Sequence, residues 1–442
     1  METGMIFVFE SENLNFISCP DVNPSGIRRF TPSPMIETLL RYKQTKQEFS
    51  NFNFDDVQRG SIASVGDSKY IIASGVAHAP YDWCGVDTNS YNWRNLFDCL
   101  NDRYLGDLQK GKAFLLLDQC HEGYHTDWLF PWFHENCVKF NINPKQIIYV
   151  TGNMDVENQY ILWLKDNPQS DKMLVLGYPI FEAAVYTEGV NLTRVKKLPP
   201  LPTVIENIEY KQNNLSDIKL YNCLQKRPRA HRIWLFNKLF FNGLLDDGIN
   251  SMNFMSHEHT YYFNKVMESS EYEMISALLP MLPPTNENHN KELEDFSSMD
   301  SGKYQMRFND DLMLQTWVSV ISEASFGEET CFLSEKIFKP LAAGHPFIAF
   351  GNKNSLHYLQ KMGYKTFEPF IDERYDTLDT WDRLDAIISS LKKIKDMPVS
   401  KKLEWYKDMS ETLIYNQKVI EKNSVEELPK AFIDLAKYIR EQ

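Results

Sequence analysis

Several things are scarce or missing in this chain, and each absence removes a class of function. The seven cysteines (Cys19, Cys84, Cys99, Cys120, Cys137, Cys223, Cys331) form no C-x-x-C pair, and no Cys/His group has zinc spacing, so no zinc module is expected. An odd, scattered count fits free, mostly buried thiols in a reducing compartment. The start, Met1-Glu2-Thr3-Gly4-Met5, lacks the basic and apolar segments of a secretory signal, and no apolar run approaches a membrane span. A soluble, cytoplasmic protein is the expectation. The G-x-x-x-x-G-K-[ST] and G-x-G-x-x-G phosphate loops are absent, as is the G-x-S-x-G elbow, which leaves little support for a nucleotide-dependent kinase or a hydrolase. Positive charge is also short: 47 Lys and Arg against 60 Asp and Glu give a net charge of −13. Such a surface repels nucleic acid and anionic membranes over long range, so nucleic acid is a disfavoured partner.

What is present describes a folded α/β protein. At 442 residues, with 43% hydrophobic and 13% aromatic content, the chain exceeds one usual core, and two domains are expected. Short apolar runs at 5–9, 70–73, 113–117, 146–150 and 173–176 read as strands, with helices near 126–140 and 156–165. Alternation at that spacing predicts a parallel sheet. The segment Leu198-Pro199-Pro200-Leu201-Pro202 reads as a linker, since its prolines resist both helix and central strand. The pattern then restarts, with strands at 220–224 and 249–254 and a helix at 228–241. A polar stretch at 283–301 lacks periodicity. Farther on come a helix at 354–362, a strand at 364–367, and charged helices at 377–395, 401–419 and 425–439. The reading is α/β: two Rossmann-like domains facing a cleft, with a helical C-terminus. Residues 1–200 form the first domain, 201–420 the second, and 421–442 a helix packing back across the domains.

The richest stretch is Ser334-Glu335-Lys336-Ile337-Phe338-Lys339-Pro340-Leu341-Ala342-Ala343-Gly344-His345-Pro346, running into the apolar strand at 347–350. It follows an apolar run at 317–321 that ends on Ser322-Glu323. Strand, charged loop, helix, turn and buried strand make a βαβ unit, whose ligands bind beyond the carboxyl ends of the strands and near helix N-termini. Glu323, Ser334, Glu335 and Lys336 fall at that edge and suit a sugar carrying a phosphate leaving group. The same Glu-Lys pair would also suit an ordinary solvated first turn, where Glu favours the helix dipole.

The order of residues adds a resemblance. Glu323-Ala324-Ser325, then Phe332-Leu333-Ser334-Glu335-Lys336, then Pro346 through Gly351 resemble the donor motif of the α1,3-fucosyltransferases. That motif reads Glu-Asn-Ser, then a hydroxyl residue before Glu-Lys, then a Pro-containing strand ending in Gly. Ala324 replaces the usual Asn, and the loop before Ser334 is longer by about two residues. Upstream, Lys226-Arg227-Pro228-Arg229-Ala230-His231-Arg232 matches a helix start where the family carries an Arg against the nucleotide diphosphate; Arg232 aligns best, with Arg229 the rival. The matching region spans residues 218–370. The resemblance implies a GT-B glycosyltransferase with its donor in the second domain. Arg229, Arg232, Glu323, Ser334, Glu335, Lys336 and Lys339 would then be donor-binding, and the co-substrate a nucleotide-diphosphate sugar, GDP-linked fucose as the first guess. No cofactor and no metal are expected, because fixed cations can neutralise the leaving group.

An inverting transfer needs a base in the first domain to take the acceptor's proton. The strand at 113–117 runs into Asp118-Gln119-Cys120-His121-Glu122-Gly123, making Asp118 and Glu122 the best candidates and His121 an alternative. Asp118 reads equally well as a cap for the helix near 126. His78, Tyr81 and Trp83 follow the strand at 70–73 and would bind a glycan or small-molecule acceptor, aromatic rings covering a pyranose face. Thr151-Gly152-Asn153 is a third loop at the same edge. Two other readings stand beside this one. One is a non-catalytic sugar- or partner-binding protein on a decayed transferase fold; the other is a viral-type transferase acting on hydroxylated DNA bases.

Overall fold

Uninterrupted apolar runs form the central strands, as a parallel sheet covered on both faces requires. A computed structural model describes residues 6–10, 30–31, 33–36, 38, 57–59, 68–76, 84, 87–88, 91–92, 95–123, 128–169, 171–186, 202–225, 229–252, 310–326 and 330–442. The chain divides into two units, the first made of Met1–Thr187, Glu328–Leu333 and Lys422–Gln442, the second of Glu188–Gly327 and Ser334–Glu421.

The first unit holds strands β1 (Ile6–Glu10), β2 (Phe30–Thr31), β3 (Val57–Arg59), β4 (Tyr70–Val76), a small hairpin of β5 (Asp87–Thr88) and β6 (Tyr91–Asn92), β7 (Ala113–Gln119), β8 (Ile147–Thr151) and β9 (Leu174–Gly177). Its seven-stranded sheet runs β3-β1-β4-β7-β8-β9, with β2 antiparallel on β4 and the other pairs parallel. Gln119 lies opposite Thr151, and Thr151 opposite Gly177, so three strands end level. Every residue of β7 and β8 is buried. Helices Leu129–Lys139 and Val156–Asp166 pack Phe130, Phe133, Val156 and Tyr160 into the core around Tyr149. The end of the chain returns here, with the Tyr438 hydroxyl donating to Lys145 O at 3.0 Å.

In the second unit β10 (Lys219–Gln225), β11 (Gly248–Met252), β12 (Thr316–Ser322) and β13 (Phe347–Phe350) form a parallel sheet in the order β11-β10-β12-β13. Helix Val204–Asn213 opens with a reciprocal capping box between Thr203 and Glu206. Helices Ala230–Phe241 and Glu335–Ala343 follow β10 and β12, and Thr380–Asp396, Val399–Asp408 and Ser410–Glu441 complete the helical C-terminus. The α/β class, with two parallel-stranded sheets, is as the sequence predicts.

Three expectations are corrected. Residues 364–367 are not a strand, because side chains take over the backbone hydrogen bonds a strand would need. Asn416 accepts from Lys365 N–H at 2.9 Å and donates to Lys365 O at 2.8 Å, while Glu373 accepts from Phe367 N–H at 2.6 Å. Asn416→Ala removes both hydrogen bonds to the part-buried backbone of Lys365 and is expected to cost about 1–2 kcal/mol, measured by urea unfolding. The helices expected at 401–419 and 425–439 instead break at Met409 and run unbroken from Ser410 to Glu441. Asn423 and Ser424, which fall between the two expected helices, turn their side chains onto Glu182: Asn423 Nδ2 donates to its carboxylate at 2.9 Å and the Ser424 hydroxyl to its carbonyl at 3.2 Å. So employed, they do not compete for their own helix's backbone. Finally, Cys99 is disulfide-bonded, whereas Cys84, Cys120, Cys137, Cys223 and Cys331 are not in disulfides. Spacing along a chain does not reveal which sulfurs meet in space.

Pro-rich residues 198–201 and the stretch at 283–301 lie outside the described residues, as do His78, Tyr81 and Trp83. Among the described residues no helix is long and apolar enough to cross a membrane.

Candidate functional site

Two helices begin at the carboxyl ends of neighbouring strands of the second unit, and both carry cations where a helix prefers anions. The helix after β10 has Arg229 at its N-cap, Ala230, His231 and Arg232 in its first turn, and no acidic residue there. The helix leading to β13 has Ser334 at its N-cap, followed by Glu335 and Lys336. The positive end of a helix dipole disfavours a cation by several tenths of a kcal/mol at each position. Three cations on two such ends weaken the empty fold and gain meaning when an anion binds between backbone N–H groups and side chains.

Glu323, the residue after β12, joins these helix starts. Its carbonyl accepts from His231 Nε2–H at 3.0 Å and from the Arg232 guanidinium at 3.1 Å. The carboxylate accepts Ser334 N–H at 3.2 Å, its neighbour Ala324 N–H at 3.1 Å, and the Ser334 hydroxyl. That hydroxyl in turn accepts from Lys336 N–H at 3.3 Å and from Lys336 Nζ at 3.4 Å. Lys336 Nζ also pairs with Glu335 at 2.6 Å, both side chains staying partly exposed at 28% and 14%.

Charges in this cluster act on one another strongly. Burial, then the Arg229 charge, lowers Arg232 to about 10, with Glu323 and Glu335 opposing. Burial and Arg232 push His231 down to about 3, so it is neutral and carries its proton on Nε2, where it donates to Glu323. Burial raises Glu323, against the opposing Lys336 charge and Ser334 hydrogen bond. Burial also works to raise Glu335, but the charges of Lys336 and Lys339 hold it below the usual carboxylate value. Lys339 stands one turn after Glu335 on the same helix face, where opposite charges attract. Arg232 is buried, whereas Arg229 is half-buried and its Nε has no hydrogen-bond partner among the described residues.

All seven residues expected at the donor site therefore belong to one unit and gather around two helix starts. Sequence reasoning missed His231 as a tether to Glu323, and Phe326, whose ring stacks on His231 with centroids 4.9 Å apart. A neutral histidine beside two arginines at a helix start was the available signal.

The first-unit residues have different surroundings. Asp118 is fully buried, and its carboxylate accepts the Ser33 hydroxyl, Met35 N–H at 2.9 Å and Cys120 N–H at 3.0 Å. It caps the turn at 34–36 rather than a helix near 126. Burial and the Asp118 charge push the Cys120 thiol well up, so it is no nucleophile. His121 is exposed beside the Phe181 ring, and Glu122 is half-buried, its carbonyl accepting Gly152 N–H at 2.8 Å. The loop at 151–153 is covered by residues 330–333 of the same unit. Asn153 pairs antiparallel with Phe332, and its side chain accepts Cys331 N–H at 3.1 Å. Among the described residues no group of three or more His, Cys, Asp or Glu is placed to hold a metal.

No protein-family model matches this chain, and no curated protein matches it. Solved structures do give similarities. The N-terminal domain of Candida albicans trehalose-6-phosphate phosphatase is 11% identical over 86% of this chain and 72% of its own, with a TM-score of 0.42. UDP-GlcNAc 2-epimerase from Neisseria meningitidis, bound to UDP-GlcNAc, is 10% identical over 98% of this chain and 100% of its own, with a TM-score of 0.37. These are distant similarities, and the chemistry of the site rests on its own residues.

Proposed function

We propose that the second unit binds the diphosphate of a nucleotide sugar and that the protein is a glycosyltransferase acting on an acceptor hydroxyl. The observation that carries this reading is the placing of Arg229, Arg232 and Lys336 on two helix N-termini at one sheet edge. Cleaving the glycosidic bond leaves negative charge on the departing diphosphate. Fixed cations and backbone N–H groups stabilise that growing charge more than the intact donor, which is what accelerates the step. Arg229 and Lys336, the less buried cations, contact the phosphates, while Arg232 reinforces them from a tethered position. Glu335 sits beside Lys336 and accepts a sugar or ribose hydroxyl. The donor motif's resemblance to the α1,3-fucosyltransferases makes GDP-fucose the first donor to try, with inverting, metal-independent transfer. Of the residues proposed as the base, Glu122 is preferred, because Asp118 already holds three hydrogen bonds from its own chain.

The test is a thermal-shift panel of GDP, UDP, CDP and ADP. One nucleotide should stabilise the protein, by about 2.7 kcal/mol at a hundred times its dissociation constant. No stabilisation by any of them at millimolar concentration would overturn the donor site. A binding protein without transferase activity would be stabilised yet release no free nucleotide from the donor sugar.

A further inference from the structure

Glu323 is fully buried just after β12, and it bonds to three other elements of the second unit. Its N–H donates to Phe350 O at 2.9 Å on β13, and its carbonyl holds His231 and Arg232 of the helix after β10. Its carboxylate holds both the backbone and the hydroxyl of Ser334. Because the Ser334 hydroxyl donates to Glu323, its lone pairs are left to face Lys336, whose N–H and Nζ it accepts. Both carboxylate oxygens are spent on the chain itself, and none of these contacts reaches outward.

We propose that Glu323 is a positioning residue, which fixes Arg232 through its carbonyl and Lys336 through Ser334 and so sets the spacing of the two cations without touching the ligand. The role rests on the diphosphate reading given above. A group that arranges phosphate-binding cations affects every diphosphate alike. A carboxylate that bound a ribose or sugar hydroxyl would matter only to ligands carrying that hydroxyl.

That difference can be measured with inorganic pyrophosphate beside the nucleoside diphosphate that stabilises the protein. Glu323→Gln keeps the shape but sets an NH2 against either the Ala324 or the Ser334 N–H. It is expected to weaken both ligands by the same factor, about tenfold, in calorimetric titration. Gly351→Ala gives an independent route that changes no charge. A Cβ there would stand 3.0 Å from both Cβ and Cγ of Glu323, so the glutamate must shift. Gly351→Ala should weaken both ligands together, and it carries the test if Glu323→Gln does not fold. A variant that loses the nucleoside diphosphate but keeps pyrophosphate would overturn the proposal and make Glu323 a direct ligand. Unchanged affinity for both ligands in folded variants would overturn it too. Wild-type protein that binds neither would instead remove the diphosphate reading itself.

Discussion

Lys336→Ala should weaken nucleoside diphosphate binding by about 10- to 100-fold, the worth of one or more charge-assisted hydrogen bonds to phosphate. The upper end is favoured because two effects add. The cation itself is lost, and Glu335, which pairs with Lys336 at 2.6 Å, is left beside the ligand without its pairing cation. Lys336 is already prepared for the task, since the Ser334 hydroxyl takes both its N–H and its Nζ. Less side-chain freedom is therefore lost when a phosphate arrives. Lys339→Ala is the control: its charge lowers Glu335 but stands one turn farther along the helix, so the loss should be a few-fold. Calorimetric titration at two salt concentrations checks both, with Lys336→Ala also flattening the salt dependence. A change of less than twofold on Lys336→Ala would sink the assignment of this helix start to the phosphates.

Much of the fold was readable because fully buried parallel strands print themselves as apolar runs. β7, β8, β12 and β13 are buried throughout, and each lies within two residues of its expected bounds. Helix starts were readable for a similar reason, Ser334 being a hydroxyl placed before a charged amphipathic turn. What could not be read is where side chains aim. The short apolar stretch at 364–367 has strand composition, but Asn416, distant in sequence, supplies its backbone partners. Glu323 could be picked from its neighbours as a site residue, yet nothing in the sequence indicates that its carboxylate turns inward to Ser334. Ala324, which stands where the resembled motif has Asn, contributes to Glu323 through its backbone N–H, a contact any residue type could make. The longer loop before Ser334 looked like a mere departure. In the structure Cys331 and Phe332 of that loop pair with Asn153.

That loop leads to the largest stability effect expected in the first unit. The Phe332 ring lies against two glycines, and neither has room for a side chain. A Cβ on Gly152 would stand 2.6 Å from Cys120 O, 2.8 Å from Glu122 O and 2.6 Å from the Phe332 ring. Two of these neighbours are backbone carbonyls on the loop that follows β7, and that loop already spends its hydrogen bonds on Gly152 N–H and the Thr151 hydroxyl. It cannot retreat without breaking them. Gly152→Ala is expected to cost more than about 3 kcal/mol, beyond ordinary overpacking, because backbone rather than a flexible side chain must move. Phe332→Ala should cost about 3–5 kcal/mol through the cavity it leaves. If the two share one cause, the double variant will be less destabilised than the sum, since the emptied ring position relieves one of the three clashes. It will not return to wild type, because Cys120 O and Glu122 O remain. Urea unfolding of the four proteins decides this, and full additivity would mean that Phe332 and Gly152 do not press on each other in solution.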